Sequence, residues 1–224
     1  MGDCLMQNLI YNFENIIIPA LWETLYMSLV STFLGFLFAI IPGILLAIWD
    51  KEGLCENKSA YNILDFFVNI LRSFPFIILI IILMPLTQII AGTSIGTSAM
   101  IVPLTIGIAP YLAKMLENSF KEVDKGIIEA AKSYGASNLQ IIFKVIFTEA
   151  LPSMINGLTL TLIVIIGFSA MAGTVGGGGL GDVAIRYGYE RFRTDIMIQT
   201  SVVLILLVQF VQMSGNALYK ISKK

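Results

Sequence analysis

Long runs without a charged residue constrain this chain more than any other feature. Residues 24–49 contain no Asp, Glu, Lys or Arg, and neither do residues 73–113, 150–181 and 196–219. A helix needs about 20 apolar residues to cross a bilayer, so each run favours a membrane-spanning helix. The second run is 41 residues long, enough for two spans, and its small residues at 91–97 (AGTSIGT) favour a turn between them.

We therefore predict an all-α integral membrane protein with five transmembrane helices, in one domain covering residues 1–224. The chain is 57% hydrophobic and only 13% charged, whereas soluble domains are about a quarter charged. Residues 173–181 (GTVGGGGLG) are too rich in glycine to remain helical, so the fourth span ends before them. Residues 8–21 are expected to lie along the outer membrane interface. The predicted spans are about 24–49, 73–91, 97–113, 151–172 and 196–219.

The basic residues predict the orientation, because Lys and Arg are retained on the cytoplasmic side of a membrane. Five spans place the two chain ends on opposite sides. One side then collects eleven basic residues, which are Lys51, Lys58, Arg72, Lys114, Lys121, Lys125, Lys132, Lys144, Lys220, Lys223 and Lys224, and the other side has three, Arg186, Arg191 and Arg193. We therefore expect the N-terminus outside, and the C-terminus and the segment 114–149 in the cytoplasm.

The segment 114–149 is the longest water-compatible stretch, and it predicts two short capped helices. Asp124 is a good N-cap for the first helix, and Gly135 is placed to end it. Ser137 and Gln140 match a capping box for a second, amphipathic helix that leads into the fourth span. This helical pair is the part of the chain best suited to meet a soluble partner.

Several chemistries are disfavoured by what the sequence lacks. It has no histidine, and Cys4 and Cys55 are far apart, so we expect no catalytic residue and no metal site. The predicted spans contain no ionisable residue, which disfavours proton-coupled pumping. No Walker lysine pattern occurs, and the glycines of 173–181 match a dinucleotide fingerprint only formally, since no strand precedes them. Energy for uphill transport would therefore enter through the segment 114–149.

Four residues of that segment carry a family resemblance. Glu129, Ala130, Ala131 and Gly135 match the signature Glu-Ala-Ala, three residues, Gly, which is typical of the cytoplasmic loop in membrane subunits of bacterial ATP-binding-cassette (ABC) importers. The resemblance implies that this short helix docks onto an ATP-hydrolysing subunit. The family's following Ile-x-Leu-Pro group is not matched in place, because the Leu-Pro of residues 151–152 comes four residues late.

Further stretches make the resemblance more specific, because together they are similar to the methionine-importer branch of these permeases. They are residues 71–79 (LRSFPFIIL), 92–97 (GTSIGT), 122–126 (EVDKG), 169–182 (SAMAGTVGGGGLGD) and 184–192 (AIRYGYERF).

The resemblance implies the ABC importer permease fold and the import of methionine, of either stereoisomer, by alternating access. The implied location is the bacterial inner (plasma) membrane. The implied partners are a second copy of the chain, two cytoplasmic ATP-binding-cassette subunits, an extracytoplasmic substrate-binding lipoprotein and membrane lipid, with no nucleic acid. ATP and Mg²⁺ would be bound by the ATPase partner, so this chain is expected to hold no cofactor and not to be an enzyme.

Small or adaptable residues near span ends are candidates for the substrate pathway or its gate. They are Ser73, Pro75, Ser169, Met171 and Gly173. A thioether suits an apolar solute, but with ten methionines in the chain ordinary packing is the competing interpretation of Met171. The neighbouring glycines either pack helices tightly or hinge a gate.

Three arginines break the positive-inside pattern on the outer side. Asp182 is expected to cap a short helix that carries Arg186, Arg191 and Arg193. Their charge suggests contact with an acidic surface of a binding protein, and contact with lipid headgroups is the alternative.

Two other functions remain open from the sequence. Within the same family, the solute could be another amino acid or a small osmolyte. A different class is a channel or assembly scaffold without energy coupling, for which a polar stripe along the pore is expected. The polar residues that could form such a stripe are scattered, namely Ser28, Ser31, Thr32, Thr159 and Thr161.

Overall fold

The computed structural model describes residue 7 and residues 10–223, and these residues form only helices, turns and loops. Cys4, Asn8 and Lys224, which enter the predictions above, lie outside the described residues. The helices are α1 Ile10–Trp49, α2 Lys58–Arg72, α3 Phe76–Ala91, α4 Thr97–Lys121, α5 Lys125–Ser133, α6 Asn138–Gly173, α7 Gly179–Val183 and α8 Thr194–Ser222. Helix α1 contains a π-helical turn at Phe13–Ile17 and α6 contains one at Ile141–Ile146, and a third at Ala184–Tyr189 directly follows α7.

Four helices in the described part of the chain are long and apolar enough to cross a membrane, namely α1, α4, α6 and α8. A fifth span is counted only if α2 and α3, which meet at a sharp bend, are taken together as one broken span. Helix α3 alone has 16 residues, fewer than the roughly 20 that a bilayer needs. The all-α prediction is confirmed, whereas five spans and the sidedness of the ends stay predictions.

The helices differ from the predicted segments in three places. Residues 10–21 continue directly into α1, so they are not a separate interfacial segment. Residues 114–121 are the last turns of α4, so the water-compatible segment begins inside a helix. Helix α2 was not predicted, because it lies outside the uncharged runs and carries a charge at about every second turn.

The chain forms two compact units. The first comprises the residues up to Leu34 together with Phe74–Gly107 and Leu162–Val211, and the second comprises Gly35–Ser73, Ile108–Thr161 and Gln212–Lys224. The prediction of a single domain stays a prediction. In the first unit a buried apolar cluster joins α1, α6, α7 and α8, and its members are Ile17, Ala20, Ile166, Leu180, Val183, Ile196 and Leu207.

The second unit is held by close packing of α1, α4 and α6. A Cβ atom added at Gly43 of α1 would lie 2.7 Å from the Cβ of Leu116, so the absence of a side chain lets α1 and α4 approach each other. The rings of Phe120 and Phe147 pack with centroids 4.9 Å apart and join α4 to α6. This packing supports the segment that follows α4.

Candidate functional site

Helix α5 carries the predicted docking signature, and both of its ends are fixed by local hydrogen bonds. At the start, the Asp124 carboxylate accepts a hydrogen bond from the backbone N–H of Gly126 at 2.6 Å. At the end, Gly135 has φ +77°, and its N–H donates to the Lys132 carbonyl while the N–H of Ala136 donates to the Ala131 carbonyl. This is a Schellman motif, which satisfies carbonyls at a helix end. Both predicted ends are confirmed.

The predicted capping box is also present. The backbone N–H of Gln140 donates to the Ser137 hydroxyl at 3.3 Å, and the backbone N–H of Ser137 donates to the Gln140 side chain at 2.9 Å. The helix that starts here is α6, which continues without a break to Gly173, and its apolar side chains Ile141, Ile142 and Ile146 are buried. The cap therefore fixes where the chain turns from α5 into the long apolar helix.

The signature residues lie at the surface of the second unit. Glu129, Ala130 and Gly135 are exposed, Ala131 is half-buried, and no residue of α5 is fully buried. Tyr134, between the helix and Gly135, is 92% exposed. A partner can therefore approach the backbone of α5 closely over its small residues.

A groove of about 180 Å³ lies beside α5. Ile128, Glu129 and Lys132 of α5 line it, together with Asp50, which follows α1, and Lys121, the last residue of α4. The α5 helix is further attached by an ion pair between Lys125 and Glu52, whose side chains are both exposed. Within residues 10–223, Glu129 takes part in no ion pair.

Beside the groove lies an ionic cluster around one buried carboxylate, which the sequence analysis did not identify. Its centre is Glu117 of α4, whose side chain is 1% exposed. The carboxylate accepts hydrogen bonds from Lys114 at 2.6 Å, from Lys121 at 2.6 Å and from the Tyr61 hydroxyl at 2.9 Å. Lys114 also pairs with Asp65 of α2, and Lys121 lies 3.4 Å from Asp50. The spacing of positions 114, 117 and 121 places three charged residues on one helix face, and this pattern indicates an ionic cluster in the sequence itself.

The pathway candidates fall into two groups. Ser169, Met171 and Gly173 lie together in the last turns of α6. The Ser169 hydroxyl is buried and donates to the Ile166 carbonyl at 2.7 Å, whereas Met171 is 47% exposed. A Cβ atom at Gly173 would lie 2.3 Å from the backbone nitrogen of Asp182, which fits the tight-packing interpretation of the glycines.

The other two pathway candidates lie at the break between α2 and α3. Ser73 is exposed and its hydroxyl donates to the Asn69 carbonyl, which satisfies the end of α2. Pro75 is the N-cap residue of α3. Ser73 and Pro75 belong to different compact units, and their role in a pathway stays a prediction.

Each arginine of the outer candidate group has a partner within the first unit. Arg186 pairs with Asp182 at 2.8 Å, Arg193 pairs with Asp195 at 2.8 Å, and the Arg191 guanidinium lies 4.6 Å from the centroid of the Tyr187 ring. The capping prediction was wrong, because Asp182 lies inside α7 and does not precede it.

The start of α7 is instead bound by side chains of α1. Gly178 and Gly179 have φ near +79°, a conformation that favours glycine, and they turn the backbone toward α1. The Gly179 N–H donates to the Glu23 carboxylate at 2.6 Å, and the Leu180 N–H donates to the Thr24 hydroxyl at 2.8 Å. These bonds join positions 156 residues apart, so no local sequence pattern indicates them.

Comparison with known proteins agrees with the resemblance of the sequence. Residues 39–224 match the family described as binding-protein-dependent transport system inner membrane component. The chain is 50% identical over 207 residues to the probable D-methionine transport system permease protein MetI of Vibrio cholerae, with 92% of each protein covered. It is 41% identical over 216 residues to the methionine import system permease protein MetP of Bacillus subtilis, covering 95% of this chain and 97% of that protein.

The fold also matches that of a solved structure. A chain from the inward facing MetNI methionine ABC transporter matches with a TM-score of 0.91 and 42% identity, and the match covers 93% of this chain and 97% of that chain.

Proposed function

Because the chain belongs to the family of binding-protein-dependent transport system inner membrane components, we propose that it is the permease subunit of an ABC importer that brings methionine into the cytoplasm. It is a multi-pass protein of the bacterial inner membrane. The observation that carries the proposal is the exposed α5, whose Glu129, Ala130, Ala131 and Gly135 match the docking signature of such permeases.

In the proposed mechanism, α5 receives the energy for transport. ATP-driven closure of the partner subunits displaces α5, and the apolar helices rock between outward and inward access. Three features of α5 suit this role: its start is capped by Asp124, its end is fixed by the Gly135 motif, and its surface is exposed. Alternating access is further supported by the inward facing state named for the MetNI structure that this chain resembles.

The proposed assembly has two copies of this chain, two cytoplasmic ATP-binding-cassette subunits and an extracytoplasmic substrate-binding lipoprotein. ATP and Mg²⁺ bind to the ATPase subunits. The lipoprotein would dock near Arg186, Arg191 and Arg193, whose partial exposure leaves room for an acidic partner despite their pairing within the chain.

The proposed substrate is methionine of both stereoisomers. One relative is named for D-methionine and another for methionine without a stated stereoisomer. Met171, exposed near the end of α6 beside Ser169 and Gly173, is our candidate contact for the solute, because a thioether adapts to apolar side chains.

The test is ATP-driven uptake by the reconstituted complex after Glu129→Arg and Gly135→Asp are combined. The double variant places a bulky cation and a strained aspartate on the docking surface, so uptake is expected to fall at least tenfold while the complex still assembles. Lys144→Gln, which changes an exposed charge outside α5, serves as the control and should keep uptake within about twofold. A stable double variant with normal coupled uptake would contradict the docking role.

Competition assays address the substrate. Uptake of labelled methionine should be blocked by both unlabelled stereoisomers and not by other amino acids or small osmolytes. Inhibition by a different amino acid alone would favour another solute within the family. Uptake that continues without ATP would favour a channel instead.

A further inference from the structure

The ionic cluster around Glu117 lies at the end of α4, the helix that leads into α5, and it contacts α2 and the end of α1. Helix α4 ends at Lys121 and α5 begins at Lys125, so a short connection of residues 122–124 joins the two helices. Lys121 belongs both to the cluster and to the wall of the groove beside α5. The cluster and the wall of the groove beside the exposed docking helix therefore share a residue.

The cluster links three segments of the second unit through one carboxylate. Lys121 connects Glu117 to Asp50 at the end of α1, and Lys114 connects it to Asp65 of α2. The Tyr61 hydroxyl binds Glu117 directly. The loop after α1 is itself tied to that helix, since the Cys55 N–H donates to the Ile48 carbonyl at 3.0 Å. Removal of Glu117 would separate two lysine–carboxylate pairs that it now joins.

Stability alone does not require charges at this position. Replacement of buried charged groups by well-packed apolar side chains of similar volume is often neutral or even stabilising. Apolar contacts are non-directional, however, whereas charge-assisted hydrogen bonds fix distances and angles. Three such bonds converge on the Glu117 carboxylate, one from Tyr61 of α2 and two from lysines of α4 itself. The two lysines in turn pair with Asp65 of α2 and with Asp50 after α1, so the cluster fixes α4 relative to both helices.

We propose that Glu117 is a positioning residue for energy coupling. It joins the end of α4, which leads into α5, to α1 and α2, so that a displacement of α5 moves α1, α2 and α4 together. The inference rests on the proposed function, in which α5 receives the force from the ATPase. Glu117 touches neither ATP nor substrate in this role. Its loss should uncouple ATP hydrolysis from transport and leave the basal hydrolysis of ATP intact.

The experiment measures methionine molecules imported per ATP hydrolysed, in proteoliposomes containing the full complex and the binding protein. Glu117→Gln should keep basal ATP hydrolysis, measured without the binding protein, within about twofold and lower this ratio at least fivefold. The variant is expected to fold, because Lys114 retains Asp65 and Lys121 retains Asp50. Glu117→Asp, which keeps the charge, should retain at least half of the original ratio.

A second variant and a control separate coupling from stability. Tyr61→Phe removes one bond to Glu117 and should lower the ratio two- to threefold. Thr200→Val removes a buried hydroxyl that binds only the Ile196 carbonyl of its own helix, and it should leave the ratio unchanged. If Glu117→Gln does not assemble, Tyr61→Phe decides the question alone.

The assays distinguish a failure of the inference about Glu117 from a failure of the proposed function. Equal losses of basal hydrolysis and import, or an unchanged ratio in both variants, would overturn the role of Glu117. If the unaltered complex hydrolyses ATP but imports no methionine, the proposed substrate is wrong, and coupling is read instead from the stimulation of hydrolysis by the binding protein. Glu117→Gln should lower that stimulation at least fivefold, and normal stimulation would overturn the inference.

Discussion

Single polar side chains in the apolar helices serve backbone groups that water cannot reach. Thr24 is 1% exposed, and its hydroxyl donates to the Ala20 carbonyl while it accepts the Leu180 N–H. A buried backbone donor without a partner is costly, because it has lost its bond to water. One hydroxyl on α1 thereby holds the start of α7 in place.

Thr24→Val should lower the thermal stability of the detergent-solubilised protein. The isosteric change leaves the Leu180 N–H without its acceptor, which costs about 1–3 kcal/mol. Thr200→Val is the matched control, because its hydroxyl only donates to a carbonyl of its own helix and no backbone donor is orphaned. Melting curves should show a clear loss for Thr24→Val and a smaller one for the control, and equal shifts would refute the capping role.

At the scale of elements, the sequence predicted what depends on neighbouring positions. The caps at Asp124, Ser137 and Gly135 join residues no more than five apart, so their patterns are visible in the chain. The bonds of Glu117 to Tyr61 and of Glu23 to α7 cross 56 and 156 positions, and only the folded structure brings them together. Long-range polar contacts therefore account for most of what sequence reasoning missed.

Helix α2 was missed for a different reason, because its own pattern does indicate a helix. Its charges at Lys58, Asp65 and Arg72 recur every seven residues and share one face, while Phe66 and Phe67 are exposed on the apolar side. The helical periodicity of residues 58–72, unlike the uncharged runs, indicates an amphipathic helix before α3.

The packing of α6 against α8 gives a prediction at the same scale. A Cβ atom at Gly215 would lie 2.1 Å from Oγ1 and 2.2 Å from Cγ2 of Thr159, a β-branched side chain with restricted rotamers. Gly215→Ala should therefore destabilise the protein by about 1–3 kcal/mol through overpacking. The double variant Gly215→Ala, Thr159→Ala removes the two closest contacts but leaves the two Cβ atoms 2.7 Å apart, so it should recover only part of the loss in melting temperature.

Gly157→Ala is the control for that prediction. Its added Cβ would lie 2.4 Å from Cγ of Met115, but a methionine side chain can move aside. The gain in helix propensity, about 1 kcal/mol, should offset the remaining cost. An equal drop in melting temperature for Gly157→Ala and Gly215→Ala would show that neighbour flexibility does not decide the outcome.

For the whole molecule, the proposed source of energy determines the side of the membrane on which α5 must lie. In the proposed function, ATPase subunits act from the cytoplasm, so α5 must lie on that side. The excess of basic residues in and around α5 predicts the same side. An orientation with α5 outside would contradict the function without changing any contact within the chain.

Thiol labelling tests the orientation, because the two cysteines lie in segments predicted to be on opposite sides. Cys55 is exposed in the loop between α1 and α2, where its sulfur accepts a hydrogen bond from Asn138 at 3.3 Å. The test uses cells whose outer layers admit the reagent and whose inner membrane is intact. In these cells an impermeant maleimide should label Cys4 in the Cys55→Ser variant. It should not label Cys55 in the Cys4→Ser variant. Disruption of the membrane should make Cys55 reactive, which controls for local shielding. Labelling of Cys55 before disruption would place the loop beside α5 outside, and the proposed coupling to cytoplasmic ATPase subunits would then be impossible.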